Sequence, residues 1–595
     1  MRIQPRDRDA LVEAALGKRP ADLLIENVQL VNVFTGEIYP ASVLVYEGFV
    51  AHVEADPDGL GGEIHPMEAK ERIDGGGSYL LPGLIDSHVH IESSMMTPAN
   101  FARTVLPHGT TTAITDPHEI GNVLGIEGVR YMLEASEGLP MRQYVLTPSC
   151  VPSVPGLETT GASFGAEEIA EMLQWDRVLG LAEVMDYPGV IHGSQRMRDI
   201  LAEAQERNTF IQGHSPTLSG RALSAYLCAG PTSDHEVRVT SEAREKMRLG
   251  MTIDGRESSI SRNLEDVIPA LEGFDLPPNF TLCTDDREPA DLIADGSVNH
   301  VVRRAIEEGV EPVRAIRYAT LHPARSVGIE NLGAVAPGYV ADMVLVPDLE
   351  AMVAKRVFFE GREVARNGQT IVEFPDADFS IERHNTVHLA PLEPRDLQIE
   401  APGGSTSAKV RVITYASEDS LFAEFAEEDV PVTEGYLAPT EGGNLATVAV
   451  FHRHGANDNR ALGIIRRFGL THGAVAATVS HDCHNLTVVA TNPEDGARAA
   501  NVLIEHGGGL ACVRGGEVLD VLPLPIAGLM SDATPEQMAR STERLKDTLR
   551  GMGIPGEDPL LRIATLTLAV IPEAKITDMG LVSVNDQELV PLFCE

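Results

Sequence analysis

Aromatic residues are scarce: 16 Phe, 11 Tyr and 1 Trp make up 5% of the 595 residues. That excludes a broad surface of interleaved rings and cations of the kind that grips single-stranded nucleic acid. Basic charge is also short, with 47 Lys and Arg against 88 Asp and Glu and a net charge of −41. Such a chain repels polyanions, so neither a nucleic acid nor an anionic membrane surface is an expected partner. A neutral small molecule stays compatible, because hydrogen bonds and stacking hold it rather than a positive field.

The six cysteines, Cys150, Cys228, Cys283, Cys483, Cys512 and Cys594, stand far apart. No spacing among them fits a disulfide scaffold or a thiolate zinc knuckle, which points to a reducing compartment. No apolar run approaches the roughly 20 residues of a membrane span, and residues 1–28 mix both charges without a signal-peptide core. A cytoplasmic location is the expectation. A Gly-rich phosphate cradle, tandem repeats and coiled-coil heptads are missing as well, which argues against a nucleotide-triphosphate enzyme.

What is present divides the chain into several units, since 595 residues exceed one core. Residues 1–78 read as a short amphipathic helix followed by hairpins, and residues 329–390 repeat that texture. Between them, residues 79–328 alternate strand and helix candidates over about the 250 residues of a (β/α)8 barrel. A polar, Pro-containing linker at 391–406 precedes a C-terminal α+β unit at 407–595. The fold class expected is therefore α/β: a (β/α)8 barrel, a small β-sandwich domain built from both flanks, and an additional C-terminal α+β domain.

Candidate chemistry lies at the ends of the barrel's strand candidates, where active sites of this architecture collect. LLPGLIDSHVHIES ends a strand on Asp86, His88 and His90, and the two histidines share one side of an extended chain. Alone, that pair reads equally as strand-end histidines satisfied by hydrogen bonds. Glu183 in VLGLAEVMD, His214 in TFIQGHSP, His235 in PTSDHE and Asp285 in FTLCTDDRE then follow in order. Six such donors suffice for two divalent metals, with Glu183 as the bridging carboxylate. A strand sends Asp285 and Asp286 to opposite sides, and Asp285 is taken as the inward one.

With these ligands the chain resembles the amidohydrolase superfamily over about residues 20–375. Many binuclear members bridge their metals with a modified lysine where this chain offers Glu183. PGLIDSHVHIESSMMTP, GTTTAITDPHEIGNVLG, TDDRE and the distal SHDCHNL segment resemble the bacterial adenine deaminase family more closely, over nearly the whole chain. The resemblance implies a metal-dependent hydrolase converting adenine and water to hypoxanthine and ammonia in purine salvage, by attack of metal-activated hydroxide on C6. It further implies two divalent ions per subunit, manganese or iron foremost and zinc as another option. Asp285 becomes a metal-associated proton shuttle and His118 a residue that stabilises or transfers charge.

Glu119 then reaches a ring nitrogen or orients His118, while His481 and His484 of HDCHN cap the substrate site; a separate metal site is the other reading of that cluster. Asp86, Glu92 and Asp116 are expected behind the ligands, holding them by hydrogen bonds. A homodimer is the assembly state carried forward. The competing functions are a related binuclear enzyme acting on another aminopurine or a cyclic amide, and a non-catalytic metal-dependent purine-binding protein.

Overall fold

Alternating apolar residues fix the first sheet. The computed structural model describes residues 1–55, 67–375, 378–417, 420–439, 444–556 and 558–594. Strands β1 (Ala21–Asn32), β2 (Glu37–Tyr46), β3 (Phe49–Ala55), β4 (Ala69–Asp74) and β5 (Tyr79–Pro82) open the chain. Along β1 the partner on one edge changes from β4 to β5, so the sheet forks into two leaves. Leu23, Ile25, Ile73 and Leu80 from these strands share one apolar cluster with Met343 and Phe358 from the far flank.

The barrel strands follow: β6 (Leu84–Val89), β7 (Thr110–Thr115), β8 (Arg142–Thr147), β9 (Val178–Val184), β10 (Phe210–Gly213), β11 (Ser233–Asp234), β12 (Thr252–Arg256) and β13 (Phe280–Cys283). Every pairing recorded among them is parallel. The Thr232 N–H donates to Ile211 O at 3.0 Å, which joins β10 to β11. The Asp285 N–H donates to His88 O at 3.0 Å, which returns β13 to β6 and closes the ring. Because helices cover such strands on the outside, they are buried throughout: all six residues of β6 and of β7 are buried. The helix Val298–Glu307 shows the matching pattern, burying Val298, Val301, Val302 and Ala305 at helical spacing.

The chain then re-enters the first sheet through β14 (Met343–Val346), β15 (Arg356–Phe359), β16 (Arg362–Arg366) and β17 (Gln369–Thr370). β14 pairs antiparallel with β5, from Met343 opposite Pro82 to Val346 opposite Tyr79. Tyr79–Pro82 therefore belongs to the flank sheet, and the barrel begins after Gly83. Gly83 is required there: a Cβ would lie 2.2 Å from Thr111 Oγ1.

The last unit is a second nine-stranded sheet with helices against it. Its helix Pro493–His506 starts where Asn492 accepts from Asp495 N–H at 2.8 Å and ends at Gly507 with φ of 74°. This unit grips the barrel at Thr159, on the loop after β8. The Thr159 N–H donates to Asp578 Oδ1 at 3.0 Å, and Asn485 Nδ2 donates to Thr159 O at 2.9 Å. On the other side Lys546 forms a buried ion pair with Glu288. Among the described residues no helix is long and apolar enough to cross a membrane.

Gly180 of β9 sets how closely β9 and β10 approach, since a Cβ there would lie 2.0 Å from Phe210 O. Gly180→Ala should destabilise the barrel by about 1–3 kcal/mol through forced strand separation. A drop of several degrees in the thermal unfolding midpoint checks this; an unchanged midpoint would show that the strands can part freely.

Candidate metal centre and active site

Six side chains from five barrel strands meet at the C-terminal mouth. His88 is the fifth residue of β6 and His90 lies just beyond it. Glu183 is the penultimate residue of β9, while His214, His235 and Asp285 follow β10, β11 and β13. All six are buried, from 0% exposure at His88 to 9% at His214.

Glu183 is the hub. Its Oε2 lies 2.6 Å from His214 Nδ1 and 3.2 Å from His235 Nε2. Its Oε1 lies 3.4 Å from His90 Nε2 and 3.5 Å from His118 Nδ1. One carboxylate thus faces two groups of imidazoles with separate oxygens. Asp285 Oδ1 closes the other side, 3.3 Å from His88 Nε2 and 3.2 Å from His90 Nε2.

These residues fit a pair of divalent cations. Three groups, His88 with His235 and Asp285, Glu183 with His214 and His235, and His90 with Asp116, His118 and Glu183, each keep their donor atoms within 4.8 Å. Both ring nitrogens of His88 and the Nδ1 of His235 are buried without a hydrogen-bond partner among the described residues. Unpaired buried nitrogens are costly, and a metal satisfies them. Burial, seconded by His235, pushes His88 down to about 4, so the neutral ring keeps one nitrogen lone pair available. At His90 burial opposes charge, yet the bonds to Asp285 and Glu183 outweigh it and hold the ring well above its ordinary value. Protons there supply positive charge that cations would replace. The His90 Nδ1–H is fixed by Asp116 O at 2.9 Å, which aims Nε2 at the centre.

Asp285 has a φ of 57°, a left-handed turn that breaks strand alternation. As a result both neighbours reach the cavity: Asp285 faces the histidines, and Asp286 bonds Ser93 Oγ. Ser93 also donates to Glu119 Oε1 at 2.7 Å. A hydroxyl carries one proton, so Ser93 can donate to only one of the two carboxyls and accepts a proton held by the other. Burial and the Asp285 charge push Asp286 up to about 6.

Several side chains of this site carry no motif. Arg256, at the end of β12, places Nη1 2.6 Å from both Asp285 Oδ2 and Glu236 Oε1. Burial raises Asp285, but Arg256 foremost and the histidines hold it well below the usual carboxylate range. Lys246 is fully buried and binds Asp234, beside His235, together with Glu242 Oε1 at 2.6 Å.

His118 opens the helix His118–Leu124, with Nδ1 3.2 Å from Asp116 Oδ2. The C-terminal unit lies across it: Asp482 Oδ1 is 3.7 Å from His118 Nε2, and His481 Nδ1 is 3.7 Å from Glu119 Oε1. Together they bound a cavity of about 780 Å³ whose outer wall is Leu568, Val570, Ile571 and Pro572.

Two expectations change. His484 is not in the cavity wall; it is fully buried with Nε2 3.9 Å from Glu119 Oε2. Its Nδ1 accepts from Ser480 N–H at 3.3 Å, and with Glu119 and His481 the residue keeps donor atoms within 4.8 Å of one another, a group that could hold a separate metal ion. Glu92 does not touch the ligand histidines; its Oε1 accepts from Ile120 N–H at 3.3 Å, which steadies the helix bearing His118 and Glu119. Asp86 accepts from Thr284, through the N–H at 3.0 Å and the hydroxyl at 2.5 Å, and from the backbone N–H of His88, so it stands behind both Asp285 and a ligand histidine.

A closed parallel barrel with a buried histidine and carboxylate centre at its C-terminal mouth defines a metal-dependent hydrolase, and residues 79–364 match the family model of the amidohydrolase family. Residues 420–588 match the adenine deaminase C-terminal domain. The chain is 43% identical to adenine deaminase 2 of Carboxydothermus hydrogenoformans, over 98% of this chain and 99% of that protein. It is 40% identical to the adenine deaminase of Kosmotoga olearia and 42% to that of Methanothrix thermoacetophila, over 98% of this chain in each case. The chain belongs to the adenine deaminase family.

Divalent metal binding joins side chains from five strands, so it should stabilise the folded barrel. Dialysis against a chelator should lower the unfolding midpoint by several degrees, and added manganese should restore it. An identical midpoint with and without metal would contradict a cation at this centre.

Proposed function

We propose that the chain hydrolyses adenine to hypoxanthine and ammonia, with two divalent ions held by His88, His90, Glu183, His214, His235 and Asp285. The observation that carries this is the split of Glu183 between two groups of imidazoles, in a chain whose relatives over 98% of its length are adenine deaminases. Manganese or iron are the favoured metals, with zinc third, since imidazole and carboxylate donors accept all three. When bound, such ions lower the pKa of water so that a nucleophile is available near neutral pH.

The chain's own groups account for the rest. Arg256 binds Asp285 Oδ2 and leaves Oδ1 directed at the centre, ionised before reaction. Asp285 takes one proton of the water that adds to C6 and returns it to the exocyclic nitrogen, which leaves as ammonia, while the proton left on the new C6 oxygen passes to the neighbouring ring nitrogen as the carbonyl forms. His118, oriented by Asp116, stabilises charge that develops on the ring. Glu119, linked through Ser93 to Asp286, faces a ring nitrogen of the base. The apolar wall from the C-terminal unit covers the base and excludes bulk water. A cytoplasmic setting and a homodimer complete the reading; the six cysteines, none of them in a disulfide, fit the former.

Protein loaded with manganese, iron or zinc should release ammonia from adenine, with the shift in ultraviolet absorbance that marks hypoxanthine. Glu183→Gln and Asp285→Asn should each lower turnover by about 10²–10⁴-fold. Absence of hypoxanthine under all three metals would end the substrate assignment, and turnover of another aminopurine or a cyclic amide in the same assay would replace it.

A further inference from the structure

The C-terminal unit places in the cavity wall one carboxylate to which no role has been given. Asp482 is 3% exposed and stands on the segment between strands Ala474–Ala477 and Leu486–Ala490. Its Oδ1 pairs with His118 Nε2 at 3.7 Å and faces His481 Nδ1 at 3.9 Å, whereas its Oδ2 is buried with no hydrogen-bond partner among the described residues. Glu158 Oε2 is equally unpartnered. The segment itself is held firmly. Thr567 Oγ1 donates to His481 O at 2.7 Å, and Asn485 Nδ2 reaches Thr159 O. The fully buried guanidinium of Arg453 donates to His484 O, to Thr386 Oγ1 at 2.7 Å and to Ala527 O at 2.8 Å.

A buried carboxylate oxygen held in place without a donor is destabilising unless the occupant of the site brings one. Geometry selects which donor. The Nδ1 edge of His118 faces Asp116 and Glu183, and its Nε2 edge faces Asp482. One imidazole ring therefore separates Asp482 from the hub carboxylate. A purine turned with C6 toward Glu183 and Asp285 carries its imidazole N–H one fused ring away from the reacting carbon. A free base has that N–H; a nucleoside or an N-alkylated base has lost it.

We propose that Asp482 is a specificity-determining residue that accepts the imidazole N–H of the purine and restricts the site to free bases. The inference rests on the deaminase reading, because it takes C6 to lie at Glu183 and Asp285. A site built to pair a substrate N–H rejects an analogue lacking it far more strongly than an apolar pocket rejects a methyl group.

The test compares adenine with 9-methyladenine on the metal-loaded full chain, alongside equilibrium binding of hypoxanthine and 9-methylhypoxanthine. The unsubstituted chain should favour adenine in kcat/KM by at least about 10³-fold. Asp482→Ala should lower kcat/KM for adenine by about 10²-fold while 9-methyladenine stays within about threefold, so that the preference collapses. Asp482→Asn, close in shape and still offering an amide oxygen, should fall between, with the metal content of the original in both variants. Equal losses on both substrates, or metal loss that tracks the activity, would assign Asp482 a structural role and overturn the proposal. So would an original chain that treats the two bases alike. If hypoxanthine binds but adenine yields no ammonia, the deaminase reading fails by itself, and the ratio of the two binding constants still decides the role of Asp482.

Discussion

Everything at the barrel mouth depends on Glu183 serving two sides at once. Its oxygens are divided between His214 and His235 on one side and His90 and His118 on the other. That division needs the ends of β6, β9, β10 and β11 within a few ångströms of one another, which only a closed barrel of parallel strands provides. Gly180 in β9 permits the close approach to β10. Lys246 holds Asp234 beside His235, and Arg256 holds Asp285 at the opposite wall. Burial would neutralise such a cluster if it stood unpaired, so the carboxylates remain charged because imidazoles and a guanidinium surround them.

The C-terminal unit explains why the chain continues beyond a barrel and its flanking sheet. Its apolar residues from Leu568 to Pro572 wall the cavity, and His481 and Asp482 bring polar groups to the side away from the metal ligands. The grip on Thr159 and the Lys546–Glu288 pair tie it to two separate barrel segments. A neutral base bound between cationic and acidic groups also fits the charge of −41, which disfavours polymeric partners but not a purine.

The class of fold and the order of the six donors were legible in the sequence because strand ends announce themselves locally. His88 and His90 sit at the end of an apolar run, and His214 and Asp285 each follow one. The family resemblance carried the substrate, which no periodicity could supply. Residues whose role depends on distant partners were not legible. Arg256 meets Asp285 across 29 positions, Ser93 meets Asp286 across 193, and Asp482 meets His118 only after the C-terminal unit has docked. The expectation for Asp285 and Asp286 assumed strand alternation, which the left-handed backbone of Asp285 interrupts, so both reach the cavity. The resemblance implied a cavity role for His484, yet the side chain lies outside the cavity wall with Nε2 3.9 Å from Glu119 Oε2.

The central claim is the proposal that Glu183 would hold two divalent cations between its two groups of imidazoles. An anomalous difference map from crystals of the manganese-reconstituted protein, collected at the manganese edge, addresses it directly. The account predicts two peaks about 3.5–4 Å apart on either side of the Glu183 carboxylate. A single peak, or two peaks with Glu183 bound to only one of them, would contradict it.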